Sequence, residues 1–148
     1  MEVMIDGVRY VPKVDEKQLW TTTYKCGDLE VSGHIEGLYT LNEAMRLKLP
    51  EEWRIPSDYD WFRIEHFFNN DAKEMIKRLG LELTGLRDYD GSLSARGSTA
   101  FLWSSSESGS TAWSRYLYST ESRVNRCTND KAYGFSVRAV RDIESEEI

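Results

Sequence analysis

The chain has 148 residues, 40% of them hydrophobic and 12% aromatic, with five Trp, eight Tyr and a formal net charge of -6. That length suits one domain spanning 1–148, and so rich a stock of core-forming residues excludes a disordered chain. A pI of 5.0 without a basic stripe excludes nucleic acid as the main partner, because phosphate binding draws on clustered Lys and Arg.

The opening "MEVMIDGVRY" carries charges where a signal peptide would need an unbroken apolar segment, and no later run approaches a membrane span. The chain is therefore expected to be cytoplasmic as synthesised, with later display on a phage particle or a cell surface left open. Residues 1–36 hold short apolar runs punctuated by Gly, "VMIDGVRYVP" with an Asp-Gly pair and "LEVSGHIEGLY", which read as strands and turns. Thr40 with Glu43 forms a capping-box pattern and opens a short helix with Leu41, Ala44, Met45 and Leu47 on its apolar side, bounded by Pro50.

A second cap, Ser57 with Asp60, starts a helix over about 58 to 69 in which Trp61, Ile64 and Phe68 recur at helical spacing. Asp71 caps a further short helix that turns Ala72, Met75, Ile76 and Leu79 inward, and Gly80 stands where a left-handed stop is wanted. From residue 81 the chain reads as turns and short strands: "FLWSS", "AWSRYLY", "SRVNR" and "YGFSVRAVRD". In the last, Tyr133, Phe135, Val137 and Ala139 alternate with Gly134, Ser136 and Arg138, which predicts a half-buried strand. The tail 143–148 is acidic and expected to fray.

The inventory for catalysis is poor. His34 and His66 are the only histidines, and both read as structural. The serines from 104 to 110 include no Gly-x-Ser-x-Gly elbow, no Gly-rich phosphate loop appears, and no catalytic residue is assigned. Asp58, Asp60, Asp88 and Asp90 lack the spacing of a calcium loop, so turn and cap duty accounts for them and no metal ligand or cofactor is expected. Cys26 and Cys127 form no CxxC pair and read as free thiols.

Binding fits better. Between 104 and 133, Ser, Thr, Tyr, Arg and Asn fill 19 of 30 positions, a mixture like that of an antibody paratope. Tyr gives a large contact face at small entropic cost, Arg a planar donor fork, and the small polar residues adaptable hydrogen bonds. Trp103, Trp113, Leu117, Val124 and Phe135 are spaced through this stretch as anchors that would pin each strand to a core.

The ordered segments "GLYTLNEAM", "LPEEWRIPSDYDWFRIEHF", "LTGLRDYDGSLSARGSTAFLWSSSES", "AWSRYLY" and "NDKAYGFSVRAVRD" resemble the Fibrobacter succinogenes major paralogous domain family over roughly residues 37 to 142. Most specific are Trp53-Arg54-Ile55-Pro56-Ser57, the block from Arg96 to Glu107, and Gly134-Phe135-Ser136-Val137-Arg138. The resemblance implies an α+β domain of C-type lectin-like fold, with two main helices, a twisted antiparallel sheet and a loop-rich upper half. The Glu-Pro-Asn and Trp-Asn-Asp triplets by which calcium-dependent lectins hold sugar are missing, as is the cysteine pair of formylglycine-generating enzymes. No enzyme activity is expected.

The chain also resembles the variable proteins of diversity-generating retroelements, in which adenine-directed changes are scattered over chosen codons, here in a gut bacterium or its phage. In family members the region before Tyr-Gly-Phe-Ser-Val-Arg is Asn-rich. Here the frame runs from Arg123 to Tyr133, and its Arg, Cys, Thr and Asp residues are one or two adenine changes from an Asn codon, whereas Glu121 and Lys131 are assigned to the fixed frame or to another codon. On this resemblance the contact residues would be Ser108, Ser110, Thr111, Ser114, Tyr116, Tyr118, Thr120, Arg123, Arg126, Cys127, Thr128, Asn129, Asp130 and Tyr133, facing outward on one side. Trp103, Trp113, Leu117, Val124, Phe135 and Val137 would be the scaffold beneath, and Lys131 and Arg138 would brace loops through carbonyls or carboxylates. The expected partner is a protein or glycan ligand, with homo-oligomerisation or attachment to a larger phage or surface assembly left open. The alternative is an undiversified adhesin or structural module of the same fold.

Overall fold

The structure, a computed structural model, describes residues 3–5, 8–10 and 22–143. The expectations for 1–2, for the Asp-Gly pair at 6–7, for 11–21 and for 144–148 fall outside the described residues. Val3–Ile5 (β1) and Val8–Tyr10 (β2) pair antiparallel, Val3 opposite Tyr10. Thr23–Cys26 (β3) and Leu29–Ser32 (β4) form a hairpin, and Val140–Asp142 (β10) adds to the other edge of β4 with Val140 opposite Val31. The closing strand thus pairs with an early one. Three helices follow β4: Leu41–Met45 (α1), Asp58–Phe67 (α2) and Ala72–Leu79 (α3). Leu86–Arg87 (β5) and Leu93–Ser94 (β6) pair as a short ribbon, and Thr99–Ser108 (β7), Thr111–Tyr118 (β8) and Val124–Asp130 (β9) build an antiparallel sheet in the order β7-β8-β9. The class is α+β, with its helices ahead of its largest sheet.

The helix starts follow their caps. Thr40 and Glu43 close one capping box and Ser57 and Asp60 another, each satisfying orphan N–H groups at the helix start. Asp71 accepts from the Lys73 N–H at 3.0 Å, and Gly80 ends α3 with φ 60°, a left-handed conformation that costs glycine little. Trp61, Ile64, Phe68, Met75 and Leu79 are buried against β4, β7, β8 and β10 in one core cluster. A second surrounds Tyr39, Trp103, Phe135 and Val137. One indole connects them, Trp61 Nε1 donating to the Trp103 carbonyl at 3.2 Å, and within the second Trp103 Nε1 donates to the Tyr39 carbonyl at 2.8 Å.

One expectation is corrected. Tyr133 to Ala139 is not a half-buried strand: Gly134, Ser136 and Arg138 are as buried as the apolar residues between them. The segment is a seam in the interior, with Phe135 bridging Tyr39, Gly134 bridging Arg87 and Ser136 bridging Leu102. Its polar residues have internal partners. Ser136 Oγ lies 2.6 Å from Thr84 Oγ1, and the Arg138 guanidinium donates to the carbonyls of Ser32, Leu79 and Gly80 at 3.0, 2.8 and 2.8 Å. Burial pulls the Arg138 pKa down to about 10, which leaves it charged at neutral pH. Ile143, assigned to the fraying tail, is buried and donates its N–H to the Asp28 carbonyl at 3.0 Å.

The Trp53-Arg54-Ile55-Pro56-Ser57 motif explains itself at the start of α2. Arg54 grips Asp60 with a two-pronged fork, Nη2 to Oδ1 at 2.9 Å and Nε to Oδ2 at 3.1 Å, while its Nη1 reaches Asp142 Oδ2 on β10 at 3.0 Å. The fork clamps the main helix to the closing strand. Burial works against the Asp60 charge, but the Arg54 hydrogen bonds and the Ser57 N–H outweigh it and hold the carboxyl below its ordinary value of 3.8. Asp142 is depressed too, chiefly by Arg54. A depressed carboxyl stabilises the fold fully above its unfolded pKa and stops doing so as pH falls through the folded one. Urea unfolding between pH 6 and 2.5 is therefore expected to show stability falling steeply below about pH 4. In Asp60→Asn the fall should be shallower, and an unchanged slope would refute the Asp60 contribution.

Candidate functional site

β8 and β9 are in continuous register from Thr111 opposite Asp130 to Leu117 opposite Val124. Because successive strand residues point to opposite faces, the register sorts the candidate residues into two sets. Thr111, Trp113, Arg115 and Leu117, with Asp130, Thr128, Arg126 and Val124, share the face that meets α2. Ala112, Ser114, Tyr116 and Tyr118, with Asn129, Cys127 and Asn125, share the face that continues onto Phe101 and Trp103 of β7. The residues expected on one side are thus divided between two.

On the α2 side the centre is a buried charge cluster. Arg115 is fully buried, with Nε bound to Glu65 Oε1 and Nη1 donating to Asp58 Oδ1 at 2.7 Å and to the Ser114 carbonyl at 3.2 Å. Asp58 also receives Arg126, from Nη2 at 2.7 Å and from Nε at 3.1 Å. The Arg126 guanidinium lies 3.5 Å above the centre of the Trp113 ring, with Phe62 at 5.1 Å. Burial disfavours the Asp58 charge, but hydrogen bonds from Arg126 and Arg115 outweigh it and hold the carboxyl below its ordinary value. Glu65 goes the other way: burial pushes its carboxyl up even against the opposing Arg115 charge. Trp113 is only half-buried. It belongs to this exposed cation–aromatic stack rather than to the core assigned to it from sequence.

On the opposite face an aromatic row runs outward from the core. Phe135 packs on Phe101 at 5.2 Å, Phe101 stacks with Tyr116 at 5.7 Å, and Tyr116 meets Tyr118 edge-on at 5.6 Å. A branch passes from Phe135 through Tyr133 to exposed Tyr89, whose ring stacks on Tyr133 at 4.6 Å. Ser114 is fully buried, its Oγ 2.6 Å from Asn129 Oδ1 and 3.2 Å from the Cys127 carbonyl. Cys127 and Cys26 are both free thiols, and burial pushes the Cys26 thiol up to about 11.

The remaining candidates lie at the two ends of the sheet. Ser108, Ser110 and Thr111 surround the β7–β8 turn, where Lys131 Nζ braces Glu107 at 2.6 Å and the Gly109 carbonyl at 3.3 Å. Tyr118, Thr120 and Arg123 stand at the other end, lining with Lys73 and Asn125 an open cleft of about 550 Å³. The Ala72 N–H of α3 donates to the Ser122 carbonyl at 2.8 Å and holds that turn in place. Of the scaffold set, Trp103, Leu117, Phe135 and Val137 are buried, and Val124 packs on the core from its margin.

His34 stands 3.6 Å from Glu82, and burial lowers its pKa more than Glu82 raises it. Among the described residues no group of three or more His, Cys, Asp or Glu converges. No helix among them is long and apolar enough to cross a membrane. No protein-family model, curated protein or solved structure matches this chain.

Sequence reading missed Asp58, Phe62, Glu65 and Arg115 as a unit, though one signal was present. Arg115 sits two residues from both Trp113 and Leu117, so period two puts a cation on an inward face, where it needs buried acids. Arg115→Ala, which strands Glu65, should cost about 3–5 kcal/mol. Arg126→Ala, at an exposed pair stacked on an aromatic ring, should cost about 1 kcal/mol. Comparable losses for the two in urea unfolding would contradict the buried-cluster assignment.

Proposed function

We propose that the protein is a non-catalytic ligand- or receptor-binding domain of C-type lectin-like fold, whose β8–β9 region displays a contact surface of the kind diversity-generating retroelements vary. The ordered motifs that resemble the Fibrobacter succinogenes major paralogous domain family and the pairing of β10 with β4 support the fold assignment. The observation that carries the function is the exposure of Ser108, Ser110, Tyr118, Thr120, Arg123, Thr128 and Asp130 on strands and turns whose backbone is fixed from within. Eight residues of β8 span roughly 24 Å between the two ends of this surface, a reach suited to a protein partner and too long for one small molecule. Contact energy would come mainly from Tyr116, Tyr118 and Arg123, aromatic and Arg groups being the usual anchors of an interface. Display on a phage particle or a cell surface would place these residues where such a partner can meet them.

A specific observation favours the second reading, an undiversified adhesin or structural module. Ser114 is fully buried, so changing it disturbs the packing, and Arg126 is committed to Asp58 and Trp113, so changing it gives up an ion pair and a cation–aromatic contact. The two readings differ in the neighbouring DNA. Diversification requires a reverse transcriptase gene and a near-copy of the codons for about 100 to 140 that differs only at adenines, with differences at the seven exposed positions and none at Trp103, Leu117, Phe135 or Val137. Absence of the near-copy decides for the undiversified module. In a library randomised at Ser108, Ser110, Thr120, Arg123, Thr128 and Asp130, most members should stay within about 0.5 kcal/mol of the parent per exposed change and resist protease. Widespread unfolding would overturn the assignment of these positions as a free surface.

A further inference from the structure

The β7-β8-β9 sheet is covered along one edge and open along the other. On the β7 side Gly85 bridges Ala100, Ser136 bridges Leu102, and the Ser105 N–H donates to the Pro56 carbonyl at 2.8 Å, so much of that outer backbone is taken. On the β9 side, among the described residues, nothing beyond β8 pairs with the backbone from Asn125 to Asn129. The helices pack mainly further in, α2 on β7 and α3 on β8. A bare row of strand N–H and C=O groups is a template for another strand, and proteins commonly guard such edges with Pro, Lys or a bulge. The seven residues of β9, Val-Asn-Arg-Cys-Thr-Asn-Asp, hold no Pro and no Lys, and their register with β8 is unbroken.

The side chains of this edge select the strand that fits it. Arg126, Thr128 and Asp130 are exposed on one face, a cation and an anion placed evenly about a threonine. In the reverse direction the order is anion, threonine, cation. An antiparallel copy of β9 centred on Thr128 therefore sets Arg126 opposite Asp130 twice and Thr128 opposite itself, and both kinds of pair are favourable across strands. Centring on Cys127 would instead oppose Arg126 to Thr128 and Val124 to Asp130, and centring on Arg126 would oppose like charges. Arg126 spends Nε and Nη2 on Asp58, and Asp130 spends Oδ1 on the Ala132 N–H at 2.9 Å. Arg126 Nη1 and Asp130 Oδ2 are left for a partner strand.

We propose that β9 is a self-association edge: two copies of the chain pair antiparallel through β9 about a two-fold axis at Thr128, joining their β7-β8-β9 sheets into one. Such an isologous contact needs a self-complementary patch, which this edge supplies. The pairing uses edge backbone rather than the sheet faces, so a strictly monomeric chain would leave the ligand-binding reading standing. So short an edge buries less than a standard interface, and association is weak. Sedimentation of the full chain between about 10 µM and about 1 mM is expected to show a monomer–dimer equilibrium. Asp130→Asn, which keeps the acceptor for Ala132 and loses the charge, should weaken it about fivefold. Facing Cα atoms of an antiparallel pair lie about 4.5–5.5 Å apart, within disulfide reach. In a Cys127→Ser background, with Cys26 buried, Thr128→Cys should therefore give a disulfide-linked dimer on mild oxidation, and Asn125→Cys, on the same edge but away from the axis, should not. Amide exchange in β9 of the unsubstituted chain gives a second readout and should slow as concentration rises. A monomer throughout the range, equal cross-linking from the two cysteines, association unchanged in Asp130→Asn, or exchange independent of concentration would each overturn the proposal.

Discussion

A cation with no access to water organises the β8 side of this protein. Arg115 projects from the middle of β8 into the interior, and its desolvation is tolerable only because Glu65 and Asp58 meet it there. Both acids belong to α2, one at its first residue and one near its last turn. The helix therefore has little freedom to slide or rotate over the sheet without separating a buried charge from its partners. Asp58 is also shared with Arg126, which covers Trp113 at the surface. One carboxylate thus joins the deepest cation of the fold to an exposed one.

The first two turns of α2 are also held by the same chemistry, at lower burial, through Asp60 and Arg63. Arg54 ties Asp60 to Asp142, and Arg63 reaches Asp28 at 2.6 Å, so the helix, β10 and the β3–β4 turn form one ionic cluster at the surface of the first core. Through the second core runs the seam from Gly134 to Val140, where hydrogen bonds to Tyr39, Arg87, Phe101, Trp103 and Arg54 replace the ladder of a regular strand. The Gly-Phe-Ser-Val-Arg motif is intelligible here. Gly134 admits the Arg87 guanidinium, Phe135 fills the second core, Ser136 satisfies Thr84, and Arg138 collects the carbonyls at the end of α3 and at Ser32.

Much of this was legible in the chain. The caps at Thr40, Ser57 and Asp71 set the helix starts, and Gly80 marked the end of α3, because capping depends on residues only a few positions apart. The seam was misread because period two distinguishes polar from apolar positions and not solvent from interior. Ser136 and Arg138 look outward-facing in sequence and are buried with partners brought from distant segments. Trp113 was misplaced for the converse reason, an aromatic residue being equally able to fill a core or to support a cation at the surface. The split of the expected contact residues over two faces follows from a register that is fixed only once β8 and β9 pair.

That split bears on which residues of β8 and β9 can change. The ladder between the strands is made by backbone groups, so side-chain identity affects it only through cross-strand neighbours and packing. At Thr128 and Asp130, exposed and on the α2 side but beyond the reach of the charge cluster, those constraints are weak. At Arg126, two residues nearer the centre, they are somewhat stronger, because replacing it leaves Asp58 with Arg115 alone and uncovers Trp113. On the opposite face the same gradient runs from buried Ser114 through half-buried Tyr116 to exposed Tyr118. Freedom to vary therefore increases from Arg115 toward the β7–β8 turn on the α2 side and from Ser114 toward Tyr118 on the other, while Leu117 and Ala112 stay buried, and a binding surface assembled here would draw its variable contacts from those two margins while its centre kept the fold.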